Sequence, residues 1–269
     1  MPACRNKPKK VRVYIEETAG ESARVETADS SIEHERPSLL EWQNQLLASP
    51  GYRAIALSAR VKRIAYIFQA NFAQYRSLVA KLQDPEFWLP ISGPGNLDAH
   101  DDLLSEAERL LHNFLTSMST RIDQERAFMR RNFSERPDLA SEYRGKVAAI
   151  FSDDFAVVFL KDLRNHITHH QLPVAQSRET FKAGSISVTF ILPCAPLLEW
   201  EWSSGVKEWI ATHGDAIEIV DVLDAYARKA ASLDKWLFHR IEQEHRTEIQ
   251  EFQRAEEEYT RKYDRAFGL

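Results

Sequence analysis

Apolar residues recur at steps of three and four through most of this 269-residue chain, and this is the period of one face of an α-helix. One such stripe runs from Leu104 to about Phe133, and another occupies the C-terminal region from Ile219 to Phe252. A third stripe, between residues 52 and 83, consists of Leu57, Val61, Ile64, Phe68, Tyr75, Leu78 and Leu82. These stripes predict a mainly α-helical protein, a multi-helix bundle that ends in one very long C-terminal helix.

Proline and acidic residues indicate where several of the helices begin. Pro37 suits the first turn of a helix, because its missing N–H would have no partner there, and the polar residues 18–37 predict a loop before it. Pro137 opens a shorter helix for the same reason. Ser152 followed by Asp153 and Asp154 predicts a fresh helix N-terminus for the segment from Phe155 onward.

Two stretches change to the period of two that is typical of β-strands. Val11, Val13 and Ile15 alternate with polar residues and predict a short strand near the N-terminus. Residues 177–192 alternate in the same way on both sides of Gly184, which predicts a β-hairpin. Whether the two regions join in one sheet is left open by the pattern.

The chain therefore divides into four segments. Residues 1–37 are a basic N-terminal arm with a short strand, and residues 38–175 are the helical bundle. Residues 176–215 contain the hairpin and a Trp-rich connection, and residues 216–269 are the long C-terminal helix packed on the bundle. Its charged end is expected to project unless a partner protein covers the aromatic residues Tyr259, Tyr263 and Phe267.

Composition narrows the class of protein. The hydrophobic fraction of 43% suits a packed interior, and the formal net charge of −5 is not that of a general nucleic-acid binder. Two distant cysteines exclude a disulfide framework and fit a reducing compartment. No apolar run is long enough to cross a bilayer, and the basic start lacks the apolar core of a secretory signal. We expect a soluble cytoplasmic protein without a membrane anchor.

The densest cluster of reactive side chains lies near the end of the helix predicted from Phe155. The segment FAVVFLKDLRNHITHHQLP gathers groups that transfer protons near neutral pH or bind phosphate. They are Arg164, Asn165, His166, His169 and His170. The chain has no phosphate-binding glycine loop and no dinucleotide motif, so no cofactor is expected.

This cluster resembles the signature of the HEPN superfamily, which is Arg, usually a polar residue, and His after four to six intervening positions. Arg164-Asn165-His166-Ile167-Thr168-His169 fits with four intervening residues, and the amphipathic helices before it are similar in layout to the bundle of that family. The resemblance covers roughly residues 38–175. It implies a homodimer acting on or near RNA in a bacterial stress or defence setting.

In catalytic members of the HEPN superfamily the motif cuts RNA without a metal. The resemblance thus implies that Arg164 contacts phosphate, that His169 transfers a proton and that Asn165 positions the substrate, with His166, His170 and Asp162 in support. The alternative is a non-catalytic helical scaffold or protein-interaction module, because many helical bundles of this kind are not enzymes.

Helical geometry gives this cluster a second interpretation. At about 100° per residue, positions five apart diverge by roughly 140° on a continuous helix, so Arg164 and His169 converge only if the helix unwinds or across a symmetric interface. Asp162, four residues before His166, could instead orient that ring in a purely structural pair. A zinc site formed by the three histidines is less favoured, because no acidic ligand lies at a typical spacing.

A basic helix face is the other candidate for nucleic-acid binding. Residues 53–81 contain six cationic residues and no acidic one, and Arg60, Lys62 and Arg63 form its densest part. Such a face can follow a nucleic-acid backbone. The alternative is that it is solvated or meets the acidic C-terminal helix of the same molecule.

Overall fold

The computed structural model of the chain describes residues 30–93, 95–169, 173, 175–182 and 185–268. The strand predicted around Val13 and the side chain of His170 lie outside the described residues. The described part contains ten helices and three strands, so the prediction of a mainly α-helical bundle with a small β region is confirmed. The elements are α1 Ser30–Ala48, α2 Pro50–Lys81, α3 Pro85–Ser92, α4 Leu97–Asn132, α5 Pro137–Phe151, α6 Phe155–His169, β1 Gln176–Lys182, β2 Ser185–Pro193, α7 Cys194–Leu198, α8 Val206–Ala211, β3 Ala216–Glu218, α9 Ile219–Glu244 and α10 Arg246–Phe267.

The first helix differs from the sequence prediction. It begins at Ser30 rather than at Pro37, so residues 30–37 belong to the helix and not to a loop. Pro37 therefore lies inside α1, where its ring nitrogen cannot donate a hydrogen bond to the carbonyl of Glu33. Helix α1 ends at Ala48, and the side chain of the next residue, Ser49, accepts a hydrogen bond from the backbone N–H of Tyr52 and caps α2.

The C-terminal stripe is helical as predicted, with one break. Helix α9 ends at His245, where φ is −111° and ψ is 26°, and α10 begins at the next residue. Helix α9 packs antiparallel to α2, because Arg76 pairs with Asp224 near one end of the contact and Lys62 lies over the ring of Phe238 near the other. Helix α10 continues along α1, where Tyr259 contacts the ring of Trp42 edge-on. Part of the segment expected to project is thus covered within the same chain.

The predicted hairpin is present and gains a third strand. Strands β1 and β2 pair antiparallel, with Glu179 opposite Val188, and β3 pairs antiparallel with the end of β2. Strand β3 has only three residues, which is too short for an alternating pattern to show in the sequence. The inward side chains of β2, among them Val188 and Phe190, are completely buried against the helices.

One large core joins helices from both halves of the chain. Its centre is an aromatic group in which the ring of Phe68 from α2 lies 5.2 Å from Phe114 of α4 and 5.8 Å from Tyr226 of α9. The same cluster includes Leu163 of α6 and Phe190 of β2. Because α6 contributes a fully buried apolar face to this core, the position of its polar C-terminal end is fixed relative to the rest of the bundle.

A buried ionic network lies beside this core. The Arg121 guanidinium, on α4, is 2.7 Å from Glu125 Oε1 and 2.6 Å from Asp234 Oδ1 on α9. The Tyr143 hydroxyl, on α5, donates to Glu125 Oε2 at 3.1 Å. Burial raises the pKa of Glu125 to about 7, although the Arg121 charge opposes that shift. The network therefore links α4 and α9 through the guanidinium of Arg121, and α5 joins it through Glu125.

No helix within the described ranges combines the length and apolarity that a bilayer crossing requires.

Candidate functional site at the end of α6

Helix α6 has a well-defined beginning. The Asp154 carboxylate accepts a hydrogen bond from the backbone N–H of Ala156 at 2.9 Å, which confirms the helix start predicted at Phe155. Lys229 of α9 forms an ion pair with the same carboxylate. Val157, Phe159 and Leu163 then place the apolar face of the helix in the core, so the polar residues of its last two turns are directed away from the core.

These polar residues line an open cavity of about 610 Å³. Asn165, His166 and His169 come from successive turns of α6, and the opposite wall is formed by the segment that joins α7 to α8. The described residues that line the cavity are Asp162, Asn165, His166, His169, Glu199, Trp200, Glu201, Trp202 and Ser203. Four of the predicted site residues therefore meet in one cavity.

A stack of aromatic rings supports the cavity wall. The rings of His166 and Trp200 are parallel within 9°, with centroids 3.3 Å apart. Trp200 stacks in turn on Trp202, and Trp202 on Phe159 of α6 at 5.3 Å. The Trp202 indole N–H donates to the carbonyl of Leu197 at 2.6 Å. The orientation of the His166 ring is thus set by a stack that reaches into the core.

Asp162 also connects α6 to the same segment, through Ser203. Its carboxylate accepts hydrogen bonds from the backbone N–H of Ser203 at 2.9 Å and from the Ser203 hydroxyl at 3.2 Å. These two hydrogen bonds anchor the segment between α7 and α8 to α6. The pairing of Asp162 with His166 that the sequence suggested stays a prediction, and the hydrogen bonds of this carboxylate to Ser203 are a further role for Asp162.

Arg164 lies on a different side of the helix from His169. It is not among the described residues that line the cavity, as the divergence of roughly 140° between positions five apart on a regular helix requires. Its Nη1 atom lies 3.3 Å from Oδ1 of Asn165, which does line the cavity. Within one chain, Asn165 is therefore the contact between the guanidinium and the histidine cavity.

The basic residues of α2 do not form a single surface. Arg60 and Arg63 line an open cavity of about 600 Å³ together with Arg131 and the acidic Asp123 of α4. Lys62 lies on the other side of the helix, with Nζ 4.0 Å from the centre of the Phe238 ring of α9. Lys62 thus makes a cation–π contact within the bundle, and only two of the three predicted nucleic-acid contacts share a surface.

A larger cavity of about 850 Å³, which was not predicted from the sequence, lies between α4, α5, α6 and α9. Its lining includes Arg121 and Glu125 of the buried network and Tyr226 of α9. One signal was available in the sequence, since Arg121 and Glu125 stand four residues apart on the apolar stripe of α4 and need partners if buried. Asp234, more than a hundred residues away, could not be matched to them by spacing.

Among the described residues, no group of three or more His, Cys, Asp or Glu side chains is placed to hold a metal ion. Compared with known proteins, the chain matches no family model, no curated protein and no solved structure.

Proposed function

We propose that this chain is a HEPN-like protein that acts on RNA, with its site at the C-terminal end of α6 and with cleavage that needs no metal. The observation that carries the proposal is the convergence of Asn165, His166 and His169 in one open cavity beside a rigid aromatic stack. Imidazole rings exchange protons near neutral pH, and a site of this kind suits transfer of a proton from a ribose 2′-OH.

The chemistry assigns one role to each group. His169, which is exposed, accepts the proton of the 2′-OH as its oxygen forms a bond to the neighbouring phosphorus. The bond from phosphorus to the 5′-oxygen breaks, and a second imidazolium donates a proton to that oxygen. Arg164 faces the charge that develops on the phosphate, and Asn165 holds the guanidinium beside the cavity through the contact of 3.3 Å.

A homodimer supplies the second acid and a second guanidinium. On one chain Arg164 and His169 diverge around the helix, so the two groups combine best when two α6 ends meet about a two-fold axis. The shared active centre then contains Arg164 and His169 of both protomers, which provides a base, an acid and two guanidinium groups. This arrangement makes cleavage depend on dimerisation as well as on either residue.

The carboxylates of the cavity fit bases rather than phosphates. Glu199 and Glu201 line the same wall as Trp200, and a carboxylate repels a phosphate but accepts hydrogen bonds from the amino groups of a base. An unpaired base therefore enters the cavity, and the phosphate lies toward Arg164. The substrate class that follows is single-stranded RNA or an exposed loop.

The test is cleavage of a fluorescent single-stranded RNA in buffer that contains a metal chelator. We expect the native chain to cleave it, and His169→Ala and Arg164→Ala each to reduce the rate by at least about 100-fold. His112→Ala is the matched control, because His112 is an exposed histidine on α4 that does not line the cavity among its described residues.

Circular dichroism and gel filtration establish that each variant keeps its fold and assembly. Mixing His169→Ala chains with Arg164→Ala chains should restore part of the activity if the two residues act across a dimer. Absence of cleavage by the native chain, or cleavage that survives both substitutions, overturns the proposal.

The second candidate function is a non-catalytic scaffold, which is favoured by the surface of α10. Every described residue of this helix is at least partly exposed, and Tyr263 and Phe267 are 40% and 46% exposed. Leu40 of the adjacent α1 is also 60% exposed. Such apolar side chains suit association with a partner.

A double substitution, Tyr263→Ser with Phe267→Ser, separates the two functions. Under the scaffold function it reduces self-association measured by analytical ultracentrifugation, and RNA cleavage is absent from the native chain. Under the nuclease function, dimerisation and RNA cleavage are both measured for the same variant. Loss of cleavage without loss of dimerisation would then indicate that the substitutions affect the site directly.

A further inference from the structure

The large cavity beside the buried ionic network has the size of a small-molecule site. Its volume of about 850 Å³ lies within the range of roughly 300–1,000 Å³ typical of ligand pockets. Helices α4, α5, α6 and α9 enclose it, and none of its described lining residues also lines the cavity at the end of α6. The kind of ligand that it fits can therefore be inferred separately from the proposed RNA site.

Buried polar side chains form one end of this cavity, which we call the floor. They are Arg121, Glu125, Tyr143 and Tyr226. Tyr226 is only 2% exposed, and its hydroxyl makes no hydrogen bond of ordinary geometry within the described part of the chain. A buried hydroxyl without a partner is costly, so a polar atom of a ligand at the floor would be stabilised.

A hydroxyl group is the ligand atom that suits the floor best. It can accept a hydrogen bond from Tyr226, as a carbonyl oxygen also can. It can in addition donate one to Glu125, whose carboxylate accepts more hydrogen bonds than the one it receives from Tyr143. A carbonyl oxygen beside that carboxylate would face an acceptor without a proton to share.

The walls of the cavity are apolar and partly aromatic. They consist of Ile122, Met129, Phe133, Val147, Phe151 and Leu233. Phe133 is 3% exposed, and its ring packs in the second core cluster, 5.9 Å from that of Phe128. Aromatic and thioether walls of this kind suit a flat aromatic body.

Exposed cations surround the open end of the cavity, which we call the mouth. Arg126 and Arg130 of α4, Arg144 of α5 and Lys161 of α6 line the cavity and are exposed. None of the four has an ion-pair partner among the described residues. Cations from three helices create a positive potential at one opening, and this potential attracts an anionic group.

The spacing along α4 indicates how long the ligand is. Arg121 at the floor and Arg130 at the mouth are nine residues apart on one continuous helix, which corresponds to roughly 13 Å along its axis. A single aromatic ring is shorter than this separation, whereas two linked rings with polar groups at opposite ends come close to it.

We propose that this cavity binds a two-ring aromatic carboxylic acid that carries a hydroxyl group at the end opposite the carboxylate. The hydroxyl lies at the floor, where it accepts a hydrogen bond from Tyr226 and donates one to Glu125. The rings pack on the apolar walls, and the carboxylate pairs with Arg126 and Arg130 at the mouth.

Two simpler ligands fit less of the cavity. A fatty acid matches the walls and the mouth, but its alkyl end would cover the Tyr226 hydroxyl without offering it a hydrogen bond. An inorganic anion matches the mouth alone and leaves the apolar walls in contact with water.

The experiment is isothermal titration calorimetry of the full chain with a matched series of probes. The first is hydroxybiphenylcarboxylate, with its two polar groups at opposite ends. Biphenylcarboxylate lacks the hydroxyl, hydroxybiphenylmethanol lacks the charge, and palmitate replaces the rings by an alkyl chain. We expect the first probe to bind with one site per chain. Loss of the hydroxyl should weaken binding by roughly 2- to 12-fold, and loss of the charge by at least about tenfold.

Tyr226→Phe tests the floor, because it keeps the ring and removes only the hydroxyl. It should weaken binding of hydroxybiphenylcarboxylate by roughly 2- to 12-fold and leave binding of biphenylcarboxylate unchanged. Equal weakening of both probes would show that the variant disturbs the cavity in general, and would contradict the hydrogen bond to the ligand.

Arg126→Gln with Arg130→Gln tests the mouth. It should weaken binding of both acids by roughly tenfold or more, because it removes two charges that face the carboxylate, and it should leave binding of hydroxybiphenylmethanol unchanged. Lys207→Gln with Arg228→Gln is the control, since it makes the same change in net charge at exposed positions outside the described cavity lining and should have no effect.

The remaining outcomes overturn the proposal. Tighter binding of palmitate than of hydroxybiphenylcarboxylate would assign the cavity to lipid, and equal weakening by the mouth variant and the control would place the ligand on surface charge alone. Absence of binding by the native chain would exclude this class of ligand. The His169→Ala chain should bind as the native chain does, so failure of the RNA cleavage proposal and failure of this one can be told apart.

Discussion

Helix α4 and helix α6 both carry an arginine and nearby polar partners, but the two arginines are held in different ways. Arg121 on α4 is 2% exposed and contacts two carboxylates from different helices. Arg164 on α6 is partly exposed, and its guanidinium donates a hydrogen bond to the neighbouring Asn165. A buried charge must be fully paired, whereas an exposed one can remain available for a substrate. Arg121 is therefore a structural arginine, and Arg164 is a candidate functional one.

The largest expected effect is the loss of the buried guanidinium. Arg121→Met should lower the free energy of unfolding by about 3–5 kcal/mol, because it leaves Glu125 and Asp234 buried without their shared cation. Arg164→Met should lower it by less than about 1 kcal/mol. Urea denaturation followed by circular dichroism measures both. Equal losses for the two variants would contradict the distinction between the arginines.

The second prediction concerns pH and the network around Arg121. Burial raises the pKa of Glu125 from 4.5 to about 7, so between these values the unfolded chain releases a proton that the folded chain retains. Rising pH therefore favours unfolding of the native chain, and Glu125→Gln, which does not titrate, should escape this loss. The stability of the variant relative to the native chain should increase across this pH range by an amount on the order of 3 kcal/mol.

Urea denaturation at pH 4.5, 6 and 7.5 provides this measurement, with Glu142→Gln as the control. Glu142 lies on the surface of α5 and pairs with Arg240. A constant difference between native chain and Glu125→Gln over the whole range would show that the buried carboxyl does not titrate near neutrality.

The third prediction concerns the stacking of Trp200 on His166 at the end of α6. Trp200→Leu removes the ring that stacks on His166 and should cost about 1 kcal/mol of stability. It should also remove the ring-current shift of the His166 protons in NMR spectra. Trp42→Leu is a comparison for the loss of a tryptophan on α1, and it should leave the His166 signals unchanged.

The smallest expected effect is at the loop anchor. Asp162→Ala removes two hydrogen bonds to Ser203 from a partly exposed carboxylate and should cost about 0.5–1 kcal/mol. Hydrogen exchange at the Ser203 amide should accelerate, whereas exchange in the core of α6, for example at Leu163, should change little. Unchanged protection at Ser203 would show that the loop is held by the aromatic stack alone.

Local chemistry was sufficient to predict several elements of the fold. The stripe on α2 and the cap at Asp154 act within a few residues along the chain, so their helices could be predicted from spacing alone. The hairpin of β1 and β2 is also local. The predicted start of α1 at Pro37 was wrong, because proline favours the first turn of a helix without requiring that the helix begin there. The break at His245 was not predicted, because the apolar period gave no signal of it.

Part of the candidate site could also be predicted, because some of its residues are close together along the chain. Asn165, His166 and His169 are near neighbours on α6, and their shared cavity follows from their spacing on a helix. Trp200, which stacks on His166, could not be assigned to the site, because it lies more than thirty residues further along the chain. The floor of the larger cavity was missed because Arg121 and Asp234 are separated by 113 positions.

The helical character of this protein, the hairpin and the cluster of imidazole and guanidinium groups on α6 could all be deduced from the order of residues alone. These depend on periodicity and on neighbours within one or two helical turns. The three-dimensional packing was needed to show which charges are buried together and which cations at the mouth of the larger cavity lack an ion-pair partner among the described residues. It was also needed to show that Arg164 and His169 face different surroundings within one chain. Such arrangements arise from contacts between segments far apart in the sequence, where spacing carries no information about distance.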